Sequence, residues 1–91
     1  DIDAVFAASD MMAAGAIATL RKAGLRVPDD IAVAGFDDSG LAATHEPALT
    51  TMRQPWERLS SEMVSTLLDV IAGAAPEPIT LPTTLVVRDS A

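Results

Sequence analysis

Two short apolar runs, each ending in a polar or acidic pair and separated by one helix-length stretch, constrain this chain most. The first run, Ala4-Val5-Phe6-Ala7-Ala8, is followed by Ser9-Asp10. The second, Ile31-Ala32-Val33-Ala34-Gly35-Phe36, is followed by Asp37-Asp38. Short continuous runs of this kind fit strands buried on both faces of a sheet. Between them, Met11 to Ala23 is rich in helix formers, and Ser9 or Asp10 offers an N-cap acceptor. Gly24 is placed to end the helix, and Pro28 with Asp29-Asp30 marks the loop beyond it. Strand, helix and strand joined by short connections predict a parallel pair with a right-handed crossover.

Downstream, Ser39 to Pro47 reads as a loop and Ala48 to Arg53 as a further extended segment. Pro55 suits the first position of a helix. In that helix Trp56, Leu59, Met63, Val64, Leu67, Leu68 and Ile71 recur at spacings of three and four, while Glu57, Arg58, Glu62 and Asp69 take other faces. Gly73 ends the helix. Pro76, Pro78 and Pro82 punctuate an extended stretch that leads to Thr84-Leu85-Val86-Val87-Arg88, read as an edge or terminal strand. The pattern shows no internal repeat, no low-complexity tract and no internal domain boundary. The fold class is α/β, a parallel sheet built as β-α-β, a crossover strand, an amphipathic helix and a terminal strand.

Composition narrows the function classes. Aromatic residues are only 3 % of a chain that is 49 % hydrophobic, so its core is built of aliphatic layers, as in α/β domains. Without cysteine there is neither a disulfide framework nor a thiolate metal site. No apolar run approaches the roughly 20 residues that span a membrane, and the opening DIDAVF has no basic n-region of a secretory signal. An opening without methionine, running straight into a strand, suggests a piece of something longer. The formal charge of -7, with six scattered Lys and Arg, argues that these residues do not touch a phosphate backbone themselves.

In an open parallel sheet, ligands collect at the carboxyl ends of the strands. Ser9-Asp10 and Asp37-Asp38 are expected to project from one such edge. A carboxylate there accepts hydrogen bonds from neighbouring hydroxyls, the chemistry a sugar or polyol needs. Gln54 offers both donor and acceptor, and Trp56 offers a flat apolar face on which sugar rings stack. Each has a plainer reading. Asp10 suits a helix cap, Asp37 and Asp38 suit the start of a turn, and Trp56 lies on its helix's apolar stripe. His45 is alone and reads as a solvated loop histidine. No metal spacing, nucleophile elbow, Gly-rich phosphate loop or other cofactor motif is present. An acid/base pair of Asp10 and Asp37 lacks any nucleophile or cofactor beside it, which argues against an enzyme.

The run AVFAASDMMAAGAIATLRKAGLRVPDDIAVAGFDDSGLAATHEPALTTMRQP resembles the C-terminal signature of LacI/GalR-family transcription regulators, above all in VPDDIAVAGFDD and PALTTMRQP. The resemblance extends to the closing LVVRDS and so covers essentially the whole chain. It implies a periplasmic-binding-protein-like fold, in which two α/β subdomains enclose a small effector, often a sugar. Residues 1–91 would be the C-terminal portion of that domain, with the DNA-binding headpiece and most of the other subdomain absent. The resemblance assigns effector contacts to Asp37, Ser9, Trp56 and Gln54, with Asp10 matching a helix-capping aspartate. It implies a homodimer through the helix from Met11 to Arg21 and the loop from Leu41 to His45, including Ala14, Ala18, Leu41 and His45. Gly15 is expected to pack against the sheet. Operator DNA would be a partner only through the missing headpiece, and the protein would be cytoplasmic. A secreted sugar-binding protein of a transport system shares the fold and is the alternative. The stripe from Trp56 to Ile71 would pack on the other subdomain.

Overall fold

The computed structural model describes all 91 residues. They form, in chain order, β1 (Ala4–Phe6), α1 (Asp10–Lys22), β2 (Ala32–Asp37), α2 (Gly40–Thr44), β3 (Thr50–Arg53), α3 (Trp56–Ile71) and β4 (Thr84–Val86). The strands make one sheet in the order β1-β2-β3-β4. β1 pairs with β2 and β2 with β3 in parallel, and β4 adds to β3 antiparallel. The parallel reading of the two apolar runs therefore holds, and so does the edge position of the last strand.

The chain divides into two compact units, although no compositional break marks a boundary. One comprises Asp1–Arg53 with Thr84–Ala91, and the other Gln54–Thr83.

In the first unit α1 lies on the sheet face that carries Val33 and Gly35. Ala7, Ala13, Ile17, Val33, Ala42 and Leu49 make its core, with Val5, Leu20, Val27 and Ile31 packed around them. Ser9, in extended backbone, caps α1 by accepting the Met12 N–H at 3.1 Å. Gly24, at φ +81°, ends the helix in the left-handed region as expected.

Three expectations change. β1 is not buried on both faces, since Phe6 is 65 % exposed. Register alternation sets Val5 beside Val33 on the α1 side and Phe6 beside Ala34 on the other, and β1 is an edge strand. Gly15 does not pack against the sheet; a Cβ there would meet nothing within 4 Å. Ala13 and Ile17 take that role. The stretch read as a loop from Ser39 to Pro47 holds the short helix α2.

The carboxyl-terminal residues are stitched into the sheet. Below the point where β3 begins to pair, Val33 N–H donates to the Ser90 carbonyl at 2.8 Å and the Ser90 hydroxyl donates to the Val33 carbonyl at 2.6 Å. Thr50 N–H donates to the same hydroxyl oxygen at 2.9 Å. Ser90 thus satisfies backbone groups of two strands and is fully buried.

In the second unit α3 follows Pro55, which precedes the first helical residue by one position, and Gly73 at φ +89° stands just past its end. The predicted stripe is real as a pattern, yet α3 buries none of its residues. A groove of about 510 Å³ lies between α3 and the extended segment 76–81, lined by Leu59, Met63, Leu67, Val70, Ile79 and Leu81 among others.

Candidate functional site

The site is built at the carboxyl end of the parallel strands. Because β1, β2 and β3 run the same way, the residues that follow β1 and those that close β2 and β3 share one edge of the sheet. Ser9 stands just after β1, and Asp37 is the last residue of β2, in register with Arg53 at the end of β3. The sequence expectation that Ser9 and Asp37 reach a common edge is met. Gln54 and Trp56 stand in the second unit, where Trp56 opens α3, about half exposed, and its N–H donates to the Gln54 carbonyl at 2.9 Å.

Asp37 has φ +108°, and Asp38 follows at φ +53°. The second value suits aspartate, which tolerates the left-handed region, whereas the first is seldom adopted by a residue with a side chain. Such a conformation costs about 1–3 kcal/mol and persists only where the surroundings over-determine it.

Those surroundings are polar and dense. Asp10, the first residue of α1, is 2 % exposed. It does not cap its own helix, the role assigned to it from the sequence; Ser9 does that. Its carboxylate instead accepts the Ser39 N–H at 2.6 Å and the Thr51 hydroxyl at 2.6 Å, joining α1 to the turn after β2 and to β3. Gly35 lies directly beneath, and a Cβ there would come within 2.5 Å of Asp10 Oδ1 and 3.3 Å of Ala13 Cβ. Only glycine lets the carboxylate sit so close to the strand.

Asp38 is gripped from two sides. Arg53 Nε donates to Oδ2 at 2.6 Å, and Arg88 Nη2 lies 2.8 Å from Oδ1. Arg88 also donates through Nη1 to the Leu49 carbonyl at 3.0 Å, which fixes its guanidinium. The Arg53 hydrogen bond, helped by Arg88 and opposed by partial burial, holds the Asp38 carboxyl below its ordinary value. This stabilisation is complete above the unfolded value near 4 and is lost as pH falls through the lower folded value.

The arrangement suits hydroxyl recognition. Asp37 supplies a carboxylate acceptor. Ser9 spends an oxygen lone pair on the Met12 N–H, which leaves its own proton to donate. His45 is half-buried rather than solvated, with Nδ1 2.9 Å from the Pro47 carbonyl. No group of three or more His, Asp or Glu side chains is arranged to hold a metal ion. Sequence reasoning missed Asp10 as a bridge and the Asp38, Arg53 and Arg88 cluster. The doubled acid at the end of β2 was the one visible signal for the cluster, since its arginines are distant in the chain.

Of the residues proposed for a dimer surface, Ala14 is half-buried and Ala18 exposed on α1; Leu41 lies in α2, with His45 at its C-cap. No helix is long and apolar enough to cross a membrane.

Comparison with known proteins covers nearly the whole chain. The family described as the periplasmic binding protein-like domain matches residues 2–91. The HTH-type transcriptional regulator CelR of Thermobifida fusca is 49 % identical over 92 residues, covering 99 % of this chain and 27 % of the relative. Among solved structures, the transcriptional regulator CelR–cellobiose complex superposes with a TM-score of 0.88 at 48 % identity, covering 100 % of this chain and 28 % of that one. The lac repressor dimer bound to operator and the anti-inducer ONPF gives 0.86 at 37 % identity, covering 97 % and 31 %. The chain thus spans only about a quarter to a third of the length of these proteins. These relatives carry the names of transcriptional regulators. This chain belongs to the periplasmic binding protein-like domain family.

Proposed function

We propose that this chain is the C-terminal portion of the effector-binding domain of a LacI-type DNA-binding transcriptional regulator, that it senses a small sugar, and that it catalyses no reaction. The observation that carries this reading is the shared strand edge that holds Ser9 and Asp37, in a chain nearly half identical to a regulator solved in complex with cellobiose. Asp37 is the principal effector contact, and Ser9 supports it. Trp56 and Gln54 are proposed as effector contacts on the second unit. Homodimerisation is assigned to Ala14, Ala18, Leu41 and His45, in keeping with a relative solved as a dimer on its operator. Operator DNA is contacted by an upstream headpiece, since this segment carries a net charge of -7. A DNA-binding role implies the cytoplasm.

The test is calorimetry on the full-length regulator with cellobiose and a panel of related sugars. At least one is expected to bind, and Asp37→Ala should weaken that binding about 100-fold, the loss of one to two charge-assisted hydrogen bonds. Unchanged affinity in Asp37→Ala would sink the assignment of Asp37. Enzymatic turnover of a bound glycoside would sink the sensor reading.

A further inference from the structure

We propose that Asp38 is a positioning residue for the effector contact at Asp37, acting through its paired grip by Arg53 and Arg88. The inference rests on the reading of Asp37 as an effector contact. Asp38 itself is poorly suited to bind a ligand, because Arg53 holds one carboxylate oxygen and Arg88 the other, and its side chain is only 10 % exposed. The two arginines come from different places in the fold. Arg53 ends β3 and Arg88 follows β4, so one carboxylate ties the turn after β2 to the end of β3 and to the segment after β4. Backbone contacts flank it: Asp38 N–H faces the Thr51 hydroxyl at 3.4 Å, and Ser39 N–H is held by Asp10.

Asp37 lies immediately before this anchored pair, at a φ that a residue with a side chain does not keep unaided. Fixing Asp38 and Ser39 removes the rotations through which Asp37 would relax. The carboxylate of Asp37 therefore meets its ligand already oriented, and binding loses less to ordering. Neutralising Asp38 leaves Asp37 chemically intact and frees its backbone.

The experiment uses the full-length regulator with cellobiose as probe and a double-mutant cycle. Asp38→Asn should bind about tenfold more weakly than wild type, yet add less than about a twofold loss in an Asp37→Asn background, because the two act as a unit. Amide hydrogen exchange without ligand should rise about tenfold at Asp38 and Ser39 while Val33 to Gly35 stay protected. Arg53→Gln removes one grip at a half-exposed position and should shift both readouts in the same sense, so a poorly folding Asp38→Asn does not end the test. Equal losses in both backgrounds, or affinity within twofold of wild type, overturn the proposal. If wild type binds no cellobiose, the choice of effector fails on its own and exchange decides. Unchanged exchange at Asp38 and Ser39 then overturns the positioning role.

Discussion

At the residue scale, one buried carboxylate does more for the site than any exposed group. Asp10 has two short hydrogen bonds, to Ser39 and Thr51, and almost no contact with solvent. Replacing it with alanine strands the buried Thr51 hydroxyl away from water, at about 1–3 kcal/mol, and takes the partner from the Ser39 N–H. Asp10→Ala is therefore expected to lower unfolding stability by about 3 kcal/mol, measured by urea denaturation of the full-length regulator followed by tryptophan fluorescence. A loss below about 0.5 kcal/mol would mean that the Asp10 bridge is not formed in solution. By contrast, the Arg26 and Asp30 pair near the end of α1 is mostly solvated. Arg26 lowers the Asp30 carboxyl's affinity for protons through hydrogen bonds, yet solvent screens the pair.

At the element scale, two glycines, one within α1 and one just past its end, face opposite demands. Gly24 has φ +81°, where an added Cβ is strained, so Gly24→Ala should destabilise by about 1 kcal/mol. Gly15 lies mid-helix with open space around it, and Gly15→Ala should stabilise by about 0.5–1 kcal/mol. Thermal unfolding of the two variants in parallel checks the pair, and a shift in the same direction for both would contradict the geometry. The elements most legible from sequence were those with local signals. Apolar runs ending in acids gave β1 and β2, glycines marked the ends of α1 and α3, and three-four spacing gave α3. The short helix α2 was hidden because Gly40 to Thr44 is little more than one turn, too short to show a period. The exposure of Phe6 was hidden too, because a strand's burial depends on what covers it rather than on its own residues. The edge position of Asp37 was legible from the end of its run. The cluster around Asp38 was not, since its partners meet only after β3 and β4 are paired.

At the scale of the whole molecule, unmet apolar surface dominates. Met63, Val64, Leu67, Leu68 and Ile71 of α3 are all more than half exposed, and so are Phe6 and Leu85 on the sheet. Covering about six such side chains is worth on the order of 10 kcal/mol. The 91 residues on their own are therefore expected to self-associate at micromolar concentration and to bind cellobiose far more weakly than the full-length regulator. Sedimentation velocity and calorimetry on the isolated chain check both. A tight-binding monomer would show that this segment needs no further protein to complete it.

The seating of Ser90 bears on what the sheet tolerates at one position. Its hydroxyl accepts from the Thr50 N–H and donates to the Val33 carbonyl, while its own carbonyl accepts from the Val33 N–H. Alanine there would deprive the Thr50 N–H and the Val33 carbonyl of these partners away from water. Two strands would lose a shared clasp through one missing oxygen.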